Sequence, residues 1–548
     1  MNSPLTYSTD PLQALPRTVH NQAPSLRPVD LFQTDLPLRE ALAREGSNWG
    51  TDLVAATGAA AGTELWSEHT RRADRNEPVL RPYDRYGNRV DEVELDPSWF
   101  WLLHEGIRRG LHSMPWTEAR PGAHAVRAAN FLMFGENNLG VSCPISMTYA
   151  VVPALRDGSA ELAAEWEPRL TSTDPATAAI AGMAMTERQG GSDVRANLTR
   201  AIPAGDGEWE LWGHKWFCSY PPCDVFLVLA QTTEEGGAPS CFLVERGPGM
   251  EFQRLKEKLG TRSLPSAEVE FRGIRARLVG EEGRGVPAIV RMVNHTRLDC
   301  LIGGAGSMRH GVREAVHHAR HRTAFGARLV DQPAMANVLA DLALESEAAT
   351  ATALRVARAY DDDTPDFRRL ATAVEKYWVC KRAAAHAAES LECLGGNGYV
   401  EESGLPQLFR DAPLCGIWEG SGNVAALDVL RAIEKEPGTL PAFLAECQLA
   451  TGGNAALDAH LAAVGPRVAA LADGARDAAA QWHAQFGARA LVEDLAVALQ
   501  ASLLVRHAPA AVSDAFCAAR LGNAAGRVYG TLPTGVDTTA ILERALPA

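Results

Sequence analysis

The chain has 548 residues, and at roughly 150 residues per domain it is too long for one compact core and should divide into three or four units. Hydrophobic residues make up 46% and charged residues 22%, which excludes a mainly disordered chain. Lys plus Arg number 53 against 67 Asp plus Glu, and the net charge of -14 argues against a general nucleic-acid coat or an anionic-membrane surface protein, while leaving room for a local basic patch.

Residues 1–45 are rich in Pro, Asn, Gln and Ser with little periodicity, which suggests an arm lying across a larger body or a neighbouring subunit, with disorder as the alternative. Over residues 46–180, stretches such as SWFWLLHEGIRRGLHSM and HAVRAANFLMFGENNLG repeat apolar residues at helical spacing, predicting a helical domain. Residues 181–285 carry GEWELWGHKWFCSY, CDVFLVLAQTT, SCFLVERG and AEVEFRGIRARLVG, short β-branched and aromatic runs bounded by Gly, Asp and Pro, which predict a β-domain. Residues 286–436 return to long helical segments such as MANVLADLALESEAATATALRVARAY, read as a bundle of four or five helices. After Pro437 and Gly438, residues 437–548 are Ala-rich and again helical, a separate C-terminal module. The order lacks the strand–helix alternation of a doubly wound parallel sheet, so the fold class is α+β and multidomain.

The ten cysteines run from Cys143 to Cys517 without a CxxC pair, which speaks for reduced core thiols rather than a zinc ribbon or thioredoxin motif. The N-terminus has neither a charged n-region nor an apolar h-region, and no stretch of 18 uncharged apolar residues follows. A cytoplasmic location without membrane insertion is expected. There is no GxGxxG, no GxxxxGK[ST] and no GxSxG; Gly283 to Ala288 fits only a relaxed GxGxxA outside any βαβ context. Glu314, His317 and His321 have a spacing that could offer a metal two imidazoles and a carboxylate, but a solvated or interface helix face is the commoner outcome, and no metal is expected.

MAMTERQGGSDVRANL, residues 183–198, is the informative segment. Gly190 and Gly191, flanked by Gln189, Ser192 and Asp193, make a loop whose backbone N–H groups can approach a phosphate or a ring closely. About 30 residues later comes GHKWFCSY (Gly213 to Tyr220), and then, in order, LGTRS from Leu259, RTAFGARLVDQ from Arg322, LGGNGYVEE from Leu394 and LFRDAPLCGIWEGSGN from Leu408. This ordered set resembles the acyl-CoA dehydrogenase family. WEGSGN, GHKWF, MTE-x-QGGSDV and SCPISMT (Ser142 to Thr148), with the extra C-terminal module, look like its AidB-type branch, the bacterial adaptive-response flavoproteins.

The resemblance implies an N-terminal helical domain, a central antiparallel β-domain, a C-terminal four-helix bundle and FAD as cofactor. It implies α,β-dehydrogenation of a short or branched acyl thioester, with Glu419 as the base that takes the α-proton. Desolvation beside Trp418 would raise its pKa, although a helix-start carboxylate that only caps or pairs is the plainer reading. Met185, Thr186, Gly190, Gly191 and Ser192 would hold the flavin's pyrimidine and phosphate side, Ser219 would donate near N5, and Phe217 would form a wall. Arg322 and Phe325 resemble residues that reach a neighbour's FAD, with Gly395 and Gly396 allowing close approach and Ser421 and Asn423 completing the lining. Arg297 matches an arginine near the family's active site, with a helix-face salt bridge equally open to it. Departures are Glu392 where most of the family has Gln, Arg188-Gln189 for the usual Pro-Gly, and Phe217 for Trp.

A homotetramer follows from the cross-subunit motif, and the AidB-type resemblance implies a second function: binding duplex DNA through the C-terminal module to limit alkylation damage. Composition opposes this, because residues 439–548 hold seven Arg and no Lys against nine Asp plus Glu. Arg506, Arg520 and Arg527 are the candidate phosphate contacts; a module serving only tetramer assembly is the third possibility.

Overall fold

A computed structural model describes the chain except for residues 1–18, 47, 137, 233–236, 474–477, 523–525, 527 and 548. The N-terminal part contains α1 (Leu36–Arg44), α2 (Thr51–Ala61), α3 (Glu64–Arg75), α4 (Pro97–Arg108), α5 (Met114–Thr117), α6 (Ala123–Gly135), α7 (Leu139–Gly158) and α8 (Ala160–Leu170). The short antiparallel hairpin β1 (Val79–Tyr83) and β2 (Arg89–Glu94) interrupts them. Sequence reading missed that hairpin; its residues alternate only between exposed and half-buried, so no buried face advertises it.

The sheet follows: β3 (Ala181–Ala184), β4 (Arg200–Gly205), β5 (Glu208–Ser219), β6 (Val225–Ala230), β7 (Ser240–Glu245), β8 (Met250–Leu255) and β9 (Ser266–Val279). Its order is β3-β6-β7-β9-β5-β4, with β8 also on β9. All pairs are antiparallel except β3 with β6, which run parallel, a departure from the wholly antiparallel expectation. β6 is buried along its whole length, as a strand covered on both faces must be.

The 37-residue α9 (Gly285–His321) leads to the tight hairpin β10 (Thr323–Ala324) and β11 (Ala327–Arg328), then α10 (Pro333–Arg358) and α11 (Pro365–Glu392), whose middle stretches are almost continuously buried. Two shorter helices, α12 (Leu405–Cys415) and α13 (Gly422–Lys435), flank the loop that carries Glu419. Beyond them lie α14 (Thr439–Gln448), α15 (Ala455–Asp473), α16 (Ala478–His507), α17 (Ala510–Arg520) and α18 (Thr538–Ala545).

Buried ion pairs fasten these parts. Asp35 caps α1 at the Leu38 N–H and accepts from Arg309 of α9 at 2.8 Å, and Arg313 pairs with Glu136. Arg127 of α6 pairs with Asp299 of α9, both fully buried. The described part of the N-terminal arm, from residue 19 onward, lies on its own chain: the Pro24 carbonyl meets His317 Nε2 at 2.9 Å, and Asn21 grips the β10–β11 hairpin. His317 is thereby engaged, and no group of three or more metal-ligating side chains forms among the described residues.

The C-terminal module is bolted to the bundle by the arginines considered for DNA. Arg520 reaches Asp341 at 2.5 Å and Glu345 at 2.8 Å, and Glu345 also accepts from Arg382 at 3.0 Å. Arg506 donates to Glu446 at 2.8 Å, which Arg355 shares at 2.7 Å. Both arginines are thus spent on internal carboxylates instead of forming an exposed cluster, a correction to the sequence expectation; Arg527 lies outside the described residues. Burial pushes Glu345 up, but Arg382 and Arg520 outweigh it and hold the carboxyl at about 2. Because the folded pKa lies below the ordinary 4.5, this contribution is complete above about pH 4.5 and is lost as the pH falls toward 2.

Arg520→Ala leaves two buried carboxylates short of a cation, so a loss of about 3 kcal/mol is expected, read as a lower Tm at neutral pH. An unchanged Tm would show that this cluster does not fasten the module.

Candidate active site

α12 ends at Cys415, and the chain turns through Gly416–Ser421 before α13 begins. Glu419 and Gly420 both lie in the left-handed region, with φ of 57° and 101°, a conformation that a non-glycine residue keeps only when its surroundings impose it. The positive φ at position 420 favours glycine, and a Cβ there would sit tightly, 3.1 Å from the Val424 Cγ1 methyl. The imposing groups are two cations. Lys376 of α11 donates to the Trp418 carbonyl at 2.8 Å and to the Gly420 carbonyl at 2.6 Å, and Arg297 of α9 donates to the Glu419 carbonyl at 3.0 Å. Arg297 is held in turn by Asp428 at 2.7 Å, a carboxylate shared with Arg369. Arg297 thus makes both a salt bridge, to Asp428, and a separate hydrogen bond to the loop that carries Glu419.

The Glu419 side chain has one oxygen, Oε2, buried without a hydrogen-bond partner. Burial pushes its pKa above the ordinary carboxylate range, against the opposing pull of the Thr296 hydroxyl and of Lys376 and Arg297. The buried Cys143 thiol of α7 hydrogen-bonds with Ser219 and is close enough to Glu419 to feel its charge; burial and that carboxylate push the thiol up to about 12. Cys143 thus brings the end of β5 and the Glu419 loop together. Helix, sheet and bundle meet here.

The loop after β3 is held by an ion pair with no solvent contact: Lys215 Nζ lies 2.8 Å from Glu187, and Glu187 also accepts from Thr199 Oγ1 at 2.6 Å and the Leu198 N–H at 2.6 Å. Burial alone would raise Glu187, yet Lys215 and these donors bring it to about 2. The Met185 carbonyl accepts from Asn197 Nδ2 at 2.9 Å, and the Thr186 carbonyl from the Trp216 N–H at 2.8 Å. Gly191 lies against Thr186, where a Cβ would meet the Thr186 hydroxyl at 2.4 Å. Gly190, Gly191 and Ser192 are exposed. In β5 the register with β9 shifts between Lys215 and Cys218, so both of those are buried while Phe217 is 49% exposed and Ser219 half-buried. A bulge of this kind re-aims side chains. The partnerless Glu419 oxygen, the half-open Thr186 and Ser219 hydroxyls and the exposed glycine loop form a donor set that suits FAD and a thioester.

A second group of residues gathers around the arm. The Arg322 guanidinium donates to the Asn21 carbonyl; the Asn21 side chain accepts from the Thr323 N–H at 2.7 Å and donates to the Thr323 carbonyl at 2.8 Å. Phe325, at the hairpin tip with φ of 52°, is completely exposed. The adjoining Gln22 accepts from Asn397 at 2.9 Å, which ties in the exposed Gly395 and Gly396 and leaves Glu392 exposed at the end of α11. Ser421 and Asn423 are exposed at the start of α13, and Asn423 accepts from Arg489 of the C-terminal module at 2.9 Å. Sequence reading did not single out Lys376, Thr296, Cys143 or Asn21. Of these, Cys143 lay within SCPISMT and Thr296 beside Arg297 in NHTRLDC.

Comparison with known proteins agrees with this architecture. Residues 21–175 match the adaptive response protein AidB N-terminal domain, residues 182–274 the acyl-CoA dehydrogenase middle domain, and residues 283–434 the acyl-CoA dehydrogenase C-terminal domain. The chain is 41% identical over 441 residues to the putative acyl-CoA dehydrogenase AidB of Escherichia coli (strain K12), covering 77% of this chain and 81% of that protein. It is 34% identical over 401 residues to acyl-CoA dehydrogenase family member 11 of Caenorhabditis elegans, covering 68% and 65%. The solved structure of Caenorhabditis elegans ACDH-11 in complex with C11-CoA superposes with a TM-score of 0.83 at 28% identity, over 97% of this chain and 93% of that one. The chain belongs to the AidB-type branch of the acyl-CoA dehydrogenase family, FAD-dependent oxidoreductases that act on the CH–CH bond of acyl-CoA thioesters.

Proposed function

We propose that the chain dehydrogenates a short or branched acyl-CoA thioester at its α,β bond, with Glu419 as the base. The observation that carries this is the Glu419 carboxylate, with one oxygen buried and unpartnered on a loop fixed by Lys376 and Arg297. Met185, Thr186, Gly190, Gly191 and Ser192 would hold the flavin's pyrimidine and phosphate side, Ser219 would donate to the ring, Phe217 would wall it, and Ser421 and Asn423 would complete the lining. FAD, when bound, supplies the acceptor for the β-hydride. Glu419 would take the α-proton on Oε2, the oxygen without a hydrogen-bond partner. The domain divisions near residues 45, 180, 285 and 436 and a cytoplasmic location belong to the same reading. Among the described residues no helix is long and apolar enough to cross a membrane.

Arg322, Phe325, Gly395 and Gly396 act on a neighbouring protomer's cofactor in a homotetramer. A wholly exposed phenylalanine on a hairpin tip pinned by Asn21 favours this. The duplex-DNA reading would rest on surfaces other than Arg506 and Arg520, which are paired within the chain.

Glu419→Gln is expected to retain FAD and to lower flavin reduction by acyl-CoA thioesters by about 10³-fold. In the wild type the rate should rise with pH through a midpoint above the ordinary 4.5, since the base works deprotonated. Anaerobic flavin bleaching across a graded acyl-CoA panel measures both, and near-normal bleaching in the variant would require another base.

Phe325→Ala should weaken assembly by about 2 kcal/mol per contact. Light scattering across a dilution series, with FAD retention after desalting, measures it. Identical mass and retention at every dilution would remove Phe325 from the interface.

A further inference from the structure

We propose that Lys376 is a positioning residue for Glu419: its ammonium holds the two carbonyls flanking that residue and brings a positive charge to its carboxylate. The inference rests on the reading of Glu419 as the base, and its test separates the two.

Lys376 is 1% exposed, and its hydrogen bonds to Trp418 and Gly420 go to neutral acceptors. With Arg297 on the carbonyl between them, three consecutive carbonyls are satisfied by two side chains from two helices. Without these donors the half-buried carbonyls would lose their protein partners, and the left-handed pair at 419 and 420 would lose what imposes it. The groups facing Glu419 are Lys376 from α11, Arg297, Thr296 and Cys300 from α9, and Cys143 from α7. The two thiols are pushed up by burial and stay neutral. Arg297 pairs with Asp428 of α13 at 2.7 Å, a carboxylate it shares with Arg369 and Arg431, whereas no carboxylate among the described residues lies within ion-pair range of Lys376.

The charge therefore acts on Glu419. Burial raises that carboxyl, and Lys376, with the Thr296 hydroxyl and Arg297, opposes the rise. Arginine is a poor substitute, because its broad planar fork does not fit between two carbonyls as a compact ammonium does.

The test uses the FAD-loaded Lys376→Met and Lys376→Arg proteins beside wild type and Glu419→Gln. Infrared difference spectra across pH follow the Glu419 carboxyl band, identified by its loss in Glu419→Gln, and anaerobic flavin reduction by acyl-CoA thioesters is recorded over the same range. The expected result is retained FAD in Lys376→Met, a Glu419 midpoint raised by about one pH unit or more, an acid limb of the rate profile that moves with it, and an intermediate Lys376→Arg. An unchanged midpoint overturns the proposal, and a fall in Tm alone would make Lys376 merely structural. If the midpoint moves but Glu419→Gln still reduces flavin at the wild-type rate, the positioning role stands and the base assignment fails. Should Lys376→Met not hold FAD, Lys376→Gln, which keeps a donor but no charge, gives the same reading.

Discussion

The three hydrogen bonds from Lys376 and Arg297 to the carbonyls of Trp418, Glu419 and Gly420 are the constraint around which this molecule is arranged. A carboxylate can remain reactive in a buried place only if its backbone cannot relax and its charge is tolerated. Both conditions are met by helices from outside the loop. α11 brings Lys376, α9 brings Arg297, and α13 brings Asp428 to orient Arg297. The loop therefore takes its shape from the bundle.

The same helices carry the fastenings of the other parts. α9 holds the N-terminal part through Arg127–Asp299, Arg309–Asp35 and Arg313–Glu136, all buried pairs. α11 meets the C-terminal module through Arg382, which shares Glu345 with Arg520, and through the buried contact of Glu375 with Gln500 Nε2 at 3.2 Å. Paired buried charges of this kind cost much when one partner is removed and orient their elements while both remain. The C-terminal module thus bears on the helix that supplies Lys376, and its Arg489 reaches Asn423, just past the Glu419 loop.

The sheet contributes a different device. Lys215 and Glu187 lock β5 to the loop after β3, and the register shift just past Lys215 turns Phe217 outward while Cys218 stays in the core. Two residues of one short motif are thereby given opposite environments. At the far hairpin, Asn21 performs a comparable service for Phe325 with one side chain bonded to Thr323.

The sequence by itself determined the order of helices, sheet and helices, through hydrophobic periods of 3.6 and 2, and the family, through ordered short motifs whose glycines and carboxylate sit in unusual backbone or buried positions, as Gly420 and Glu419 show. It was silent on the β1–β2 hairpin, and the antiparallel sheet it led to expect did not include the parallel β3–β6 pair, since no local pattern distinguishes either outcome. Tertiary structure alone decided the partners of charges. An arginine reads the same in a chain whether it faces solvent or a carboxylate 175 residues away, as Arg520 faces Glu345. Lys376 likewise lies 42 residues before Trp418 in an unexceptional helix, and only the crossing of α11 over the Glu419 loop gives it carbonyls to hold. Local propensity is written in neighbours along the chain, whereas charge pairing depends on distances that exist only after the chain has folded.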